Sequence, residues 1–217
     1  MKSKFVATLC LFLCLGIAQA ELPNKNVKLP EPDKTGGVPL MKALAERSSN
    51  REFMAGKEIP LQTLSDLLWA ACGINRPESG RRTAPTAMNW QDIKLYIFTK
   101  EGIYSYDAAS HSLGFVAEGN HMKSTGEQSF VENAACNIIF VSDIRKMKTG
   151  APEDKLRFAS FHSGAVSQNI SLYCASSGLN TVVRASFDEE KLRELLRLQD
   201  DERVIMAQSV GFRPAKK

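Results

Sequence analysis

Apolar positions recur along this chain with two periods, and the switches between them mark the elements. Leu40, Met41 and Leu44 fall on one face behind Pro39, which suits a first helical position. Leu61, Leu64, Leu68 and Cys72 repeat at helical spacing, Leu67 and Trp69 widen the stripe, and Gly73 is the expected stop. The period then changes to two. Ile93, Leu95 and Ile97 alternate with Lys94, Tyr96 and Phe98. Lys100-Glu101-Gly102 turns the chain, and residues 103–106 return as the second arm of a hairpin. Residues 112–116 extend it to a third strand, residues 118–135 read as short helices, and residues 137–141 as a buried strand.

The longest helical pattern covers residues 152–177. It opens on Pro152-Glu153-Asp154, with acids where the helix dipole favours them. Leu156, Ala159, Ser163, Val166, Ile170 and Cys174 form its stripe, with Gly164 and Ala165 beside it, so the helix is expected to be buried, centrally or against another copy. Gly178 ends it. A strand over 180–184 follows, then a helix capped by Ser186 or Asp188 and carrying Leu192, Leu195 and Leu196. A strand over 204–210 runs into Gly211-Phe212-Arg213. The fold class is α+β: a mixed, mainly antiparallel central sheet of about five strands flanked by helices, with one long buried central helix.

Two stretches lack a period. Residues 21–38 are rich in Pro, Lys and Asn with Gly36-Gly37, and read as an extended arm that crosses the surface or reaches a partner subunit. Residues 74–89 read as a long irregular loop holding Arg76, Arg81 and Arg82 and ending in small residues that let a flat ligand approach the backbone. The start of the chain is a targeting signal. Lys2 and Lys4 precede an apolar run over residues 5–17, too short to span a bilayer, and Ala18-Gln19-Ala20 suits signal peptidase, which predicts cleavage after Ala20. The organisation is then a signal peptide at 1–20, an arm at 21–38 and a single domain at 39–217, exported to the periplasm or beyond.

Removal of the signal leaves 197 of 217 residues, enough for one domain with a sizeable core. Without Lys2 and Lys4 the 28 basic residues become 26 against 24 acidic, a net charge of +2, which does not suggest a nucleic-acid face. No second long apolar run argues for a membrane after cleavage. Of five cysteines, Cys10 and Cys14 leave with the signal; Cys72, Cys136 and Cys174 have no metal or redox spacing and read as buried thiols, with one bridge open in an oxidising compartment. His111, His121 and His162 show no ligand spacing; the first two read as solvated turn residues and the third as structural. No Gly-x-Ser-x-Gly elbow and no Gly-x-Gly-x-x-Gly after a strand supports a hydrolase or a nicotinamide-binding Rossmann domain.

Chemistry concentrates at three places. Arg47-Ser48-Ser49-Asn50-Arg51 puts two guanidinium groups and two hydroxyls within one short stretch, a donor set for phosphate, with Arg213 available from the C-terminal end. The alternative is a solvated helix end. Pro85-Thr86-Ala87-Met88-Asn89-Trp90-Gln91 is a compact loop with amides at fixed spacing, and residues 182–185 form a strand end. Cations for a phosphate, small polar residues along a ring edge and a wall for the ring are what a phosphate-tethered flavin needs.

On these motifs the chain resembles the FMN-dependent nitroreductase family, and within it the branch of thiazole- and oxazole-forming dehydrogenases. The signature of two arginines around a serine matches residues 47–51. The Pro-Ser-x-x-Asn-x-Gln loop matches residues 85–91, with Thr86 for Ser. Gln168-Asn169 and Gly178-Leu179 match the central helix, and Gly211-Phe212-Arg213 the final strand; together the resemblance spans residues 40–213. Ser48 stands where the family usually has a second basic residue. The resemblance implies a homodimer with one FMN at each subunit interface. Its phosphate would be held by Arg47, Ser49, Arg51 and Arg213. Its ring edge would meet Pro85, Thr86, Ala87 and Asn89 of the other subunit, and Val183, Arg184 and Ala185. It further implies hydride transfer from a donor to the flavin and then to a small-molecule acceptor, with no side-chain nucleophile and a backbone donor from Ala185 near the reacting ring atom. Arg184 would hold an acidic substrate group or lie in a surface salt bridge, the latter preferred. Two alternatives to an exported oxidoreductase stand beside it: a non-catalytic module of the same fold that binds flavin or another phosphate ligand, and a peptide-modifying enzyme that oxidises azoline rings.

Overall fold

The computed structural model describes residues 22–214, and the expected signal segment at 1–20 lies outside them. In chain order the elements are β1 (Val27–Lys28), α1 (Leu40–Glu46), α2 (Leu61–Cys72), β2 (Ile74–Arg76), β3 (Arg81–Arg82), β4 (Ile93–Phe98), β5 (Gly102–Asp107), β6 (Ser112–Glu118), β7 (Cys136–Asp143), α3 (Pro152–Ser176), β8 (Leu179–Arg184), α4 (Glu189–Leu196) and β9 (Glu202–Phe212), with single 3-10 turns between some of them.

The main sheet runs β1-β6-β5-β4-β7-β9-β8, and every pairing is antiparallel. It therefore has seven strands rather than about five, and no parallel pair. The arm supplies β1, which at two residues is too short to show a period. Leu29 beside it is buried, the Tyr104 hydroxyl donates to the Leu22 and Pro23 carbonyls, and Phe115 N–H donates to Asn26 Oδ1 at 2.8 Å, so residues 22–30 are tied down on their own domain. His111, expected to be solvated, is half-buried instead: its ring lies 2.7 Å from Ser65 Oγ and 2.9 Å from the Tyr106 hydroxyl, fastening the arm at Pro30.

β7 is buried along its whole length because it has a core on each face. Ile138 and Phe140 pack with Leu64, Leu68, Val166 and Ile170 of α2 and α3. Ile139 and Val141 pack with Leu192 and Leu196 of α4. A strand covered on both sides reads as a continuous apolar run, and each such side chain stabilises the fold by roughly 1.5–3 kcal/mol. α3 presents Ala159, Ser163, Val166, Ile170 and Cys174 to the sheet. Leu156 breaks the expected stripe and stands exposed, because the first buried position of α3 is Ala159. Asp188, not Ser186, caps α4, accepting the Lys191 N–H at 3.0 Å.

The 74–89 stretch is not irregular throughout. It contains the small β2–β3 hairpin, turned at Gly80 in the left-handed region (φ +62). Its strands are two and three residues long and polar, so no period marks them. Cys72, Cys136 and Cys174 are buried free thiols.

Candidate functional site

The 47–54 segment is laid along the edge of the sheet by three hydrogen bonds. Asn50 N–H donates to the Thr181 carbonyl at 2.9 Å, Asn180 Nδ2 to the Glu52 carbonyl at 2.8 Å, and Met54 N–H to the Phe212 carbonyl at 3.0 Å. The last of these brings Arg213, the residue after β9, beside the segment that carries Arg47, Ser48, Ser49 and Arg51. Gly211 makes the close approach possible: a Cβ there would lie 2.8 Å from Phe53 Cδ1 and 3.0 Å from the Ala135 nitrogen. Arg51, Ser48, Ser49 and Arg213 are exposed and Arg47 half-buried, and among the described residues none of the three arginines forms an ion pair. Ser48 is engaged locally, accepting Asn50 Nδ2 at 2.8 Å.

The 85–91 loop is strained and closed on itself. Met88, Asn89 and Gln91 all have left-handed backbones (φ 48, 56 and 49), a conformation that disfavours Met and Gln in particular. Internal bonds hold it there. Thr86 Oγ1 accepts Gln91 N–H at 2.9 Å, the Thr86 carbonyl accepts Asn89 N–H at 3.1 Å, and Gln91 Nε2 donates to the Gly80 carbonyl at 2.9 Å. Ala87 N–H donates to His162 Nε2 at 2.8 Å. The amides of this compact loop are therefore largely used to hold its own shape. The N–H groups of Ala87, Asn89 and Gln91 are committed within the protein, as is Thr86 Oγ1, which leaves Met88 at the tip, 78% exposed, beside an exposed Asn89 whose Oδ1 accepts Gln91 Nε2 at 3.1 Å.

Behind the loop stands a buried relay. His162 Nδ1 lies 2.6 Å from Asp92 Oδ1, and Asp92 Oδ2 accepts Ser142 Oγ at 2.7 Å. Ala87 can only donate, so Nε2 is the acceptor and Nδ1 carries the hydrogen toward Asp92. The rings of Trp90 and Phe158 flank the imidazole. His162 is structural, as its sequence suggests, but in a specific place: it fixes the candidate ring-binding loop. Its partner lies 70 residues away, so no local spacing could reveal the pair.

At the end of β8, Val183 and Ala185 are exposed and Arg184 is not. Arg184 points into the protein, donating to the Thr125 carbonyl at 2.7 Å, Ser209 Oγ at 3.1 Å and Asn137 Oδ1 at 3.3 Å. The expected surface salt bridge is corrected: strand alternation turns this side chain to the covered face, where burial lowers its pKa to about 10 and neutral oxygens satisfy it.

Within one chain the two halves stand apart. Gln208 Nε2 reaches both Thr181 Oγ1 (3.0 Å) and Ser171 Oγ (3.2 Å), so the 47–51 segment lies level with Ser171. From Ser171 to His162 is nine residues of α3 (171 − 162 = 9), about 14 Å along its axis. Across the sheet, β4 and β8 are three strand spacings apart, again about 14 Å. Around both halves large apolar side chains lie open: Leu40, Met41 and Leu44 on α1, Leu156 and Phe161 on α3, and Val183 on β8.

This arrangement defines an α+β domain whose candidate ligand-binding segments flank one long helix. The profile of the nitroreductase family matches residues 44–212, and the chain belongs to that family. A crystal structure of a protein from Ralstonia eutropha JMP134, assigned as a nitroreductase, is 38% identical and covers 88% of this chain and 91% of its own, with a TM-score of 0.83. A Methanocaldococcus jannaschii protein named as a nitroreductase is 25% identical over 81% of this chain and 91% of its own length. A chain of the Escherichia coli microcin synthetase McbBCD complex shares the fold at 18% identity, covering 97% of this chain and 85% of its own, with a TM-score of 0.67.

Proposed function

We propose that this protein is an FMN-dependent oxidoreductase, exported, that works as a homodimer and passes two electrons between a donor and a small organic acceptor. The observation that carries the reading is the set of unpaired arginines that two remote stretches bring to one sheet edge. Arg47 and Arg51 arrive on the segment hydrogen-bonded to Thr181, and Arg213 arrives through Phe212, with no carboxylate ion-paired to them among the described residues. Guanidinium groups left unpaired at a built edge fit a phosphate.

FMN would be held at its phosphate by Arg47, Ser49, Arg51 and Arg213. Its ring edge would meet Pro85, Thr86, Ala87 and Asn89 of a second copy, with Val183 and Ala185 alongside; Arg184 contributes backbone only. When bound, FMN supplies reversible two-electron exchange at its ring. The chain's own residues do the rest. His162 and Asp92 keep the loop in its strained shape, and the arginines anchor a dianionic group. Met88 and Phe161, apolar and exposed on one chain, suit a water-excluding wall once a second copy covers them. The distance between the halves of the site and the apolar surface around both support that second copy. The mature, exported chain begins at Glu21.

The test is a visible absorption spectrum of the purified protein after gel filtration and of its heat-released supernatant. A flavin spectrum in both, lost in Arg51→Ala, is the expected result. A colourless protein that takes up no added FMN would overturn the assignment. N-terminal sequencing of protein recovered from the periplasm or medium tests export.

A further inference from the structure

The 85–91 loop stands as a ridge between two cavities, and both are basic. One, of about 500 Å³, is lined by Arg76, Arg81 and Arg82 together with Pro85 and Thr86. The other, of about 460 Å³, is lined by Lys146 and Lys148 together with Trp90. Met88 and Asn89 line both. No acidic residue lines either cavity, and among the described residues none of the five cations is in an ion pair.

Three features set this cluster apart from a solvated basic surface. Arg76 and Arg81 are directly opposite each other in the β2–β3 ladder, and like charges in that relation destabilise a hairpin. Arg82 Nε is buried without a hydrogen-bond partner. Lys146 is tied to the ridge itself, donating to the Gln91 carbonyl at 2.9 Å. Its ammonium is held below the usual lysine range, first by burial and then by the charge of Arg82, so the two cavities feel one another. Asp143 and Asp92 pull Lys146 the other way, but both are already committed, Asp143 to Arg145 and Lys94 and Asp92 to His162 and Ser142. Asp107 acts on Arg82 in the same way and is itself held by Ala109 and Ser110. Cations clustered with no carboxylate in direct contact carry a repulsion that a bound anion reduces.

We infer that this cleft recognises a carboxylate or phosphate group on the molecule that exchanges electrons at the 85–91 loop, so that the physiological substrate of this enzyme is an anion. Planar guanidinium groups suit either group, and that of Arg76 is held in place by donating from Nε to Asn75 Oδ1 at 3.1 Å and from Nη2 to the Arg82 carbonyl at 3.0 Å, which leaves Nη1 for the ligand. The cations are distinct from those assigned to the FMN phosphate, which lie at the sheet edge beside β8. The substrate role rests on the oxidoreductase reading; the anion preference of the cleft does not.

The test is calorimetric titration of the FMN-supplemented protein with 4-nitrobenzoate, 4-nitrophenyl phosphate and the neutral 4-nitrobenzamide. One of the two anions is expected to bind at least about tenfold more tightly than the amide, as charge-assisted hydrogen bonds require. Which anion wins names the group. In Arg76→Gln/Arg81→Gln, where both side chains are exposed and folding is not at stake, that preference falls to about twofold while flavin content is unchanged; Arg82→Gln, checked by circular dichroism, does the same. Equal binding of amide and anions, a preference that survives the double substitution, or loss of flavin in the double variant would each overturn the inference. A protein that takes up no FMN yet still prefers an anion sinks the oxidoreductase reading and leaves the anion cleft standing.

Discussion

The backbone N–H of Ala87 donates to Nε2 of His162 at 2.8 Å, and the opposite ring nitrogen lies 2.6 Å from Asp92 Oδ1. A loop with three left-handed residues is thus pinned from behind by a fully buried carboxylate acting through an imidazole. Removing the ring leaves a cavity, an unpaired Ala87 N–H and an uncompensated Asp92. His162→Ala is therefore expected to destabilise the protein by about 2–4 kcal/mol. Urea unfolding measures this directly. The Trp90 emission should also shift in the folded variant, because the indole packs against this ring. A stability change under about 0.5 kcal/mol would mean that the internal bonds of the loop suffice without the pin.

The phosphate assignment separates residues that sit side by side. Arg51→Ala and Arg213→Ala each remove a charge-assisted donor worth about 1.5–3 kcal/mol, so each should weaken FMN binding roughly 10- to 100-fold. Ser48→Ala should change it little, because Ser48 Oγ already accepts from Asn50. Flavin fluorescence quenching on titration with FMN gives all three constants. An effect of Ser48→Ala as large as that of Arg51→Ala would place the phosphate elsewhere on the segment.

The sequence carried the elements because their periods are strong. The alternation at 93–98 and the stripe through Leu64, Leu68, Val166 and Ile170 correspond to the sheet and to the two helices that cover it. What it could not carry were contacts whose strength comes from remote partners. β1 pairs through two residues with β6, Val27 with Leu113 and Lys28 with Ser112, which lie 86 and 84 positions on (113 − 27 and 112 − 28), and the His162–Asp92 pair spans 70. Arg184 shows the same limit from the other side. A basic residue at a strand end suggests solvent, and only the register of β8 on β9 turns it inward. The 47–51 segment was legible as a donor set, whereas the commitment of the loop amides to Thr86, Ala87 and His162 depends on backbone angles that no motif states.

Assembly is testable apart from cofactor. Met41 and Phe161 are 75% and 62% exposed and belong to α1 and α3, which flank the phosphate segment and the loop. Met41→Asp/Phe161→Asp should leave the chain folded, since neither side chain packs in the core, and should reduce the sedimentation mass from twice the chain mass to once. FMN retention should fall with it, because the two halves of the site then lie on separate molecules. A monomeric double variant that keeps its flavin would show that one chain holds the whole site.

At the far end of β7, Asp143 offers a measurement of acid stability. Its carboxyl lies 2.8 Å from Arg145 Nε and 3.4 Å from Lys94 Nζ. Hydrogen bonding from Arg145, with the charge of Lys94 behind it, lowers its pKa from 3.8 to about 2. A carboxylate whose folded pKa is depressed contributes stability that is present above its unfolded value and is lost as pH falls through the folded one. The melting temperature should therefore drop between about pH 4 and pH 2, with part of that drop assignable to this residue. Asp143→Asn removes the titrating group, so the variant should be less stable at pH 7 yet show a shallower decline across the same window. Arg145→Ala should move the decline upward in pH, because the carboxylate then protonates nearer its ordinary value. Parallel pH–stability curves for the wild type and Asp143→Asn would place the acid sensitivity in other carboxylates, with Glu202, which shares Lys94 at 2.5 Å and is likewise held below its ordinary range, the next to be replaced.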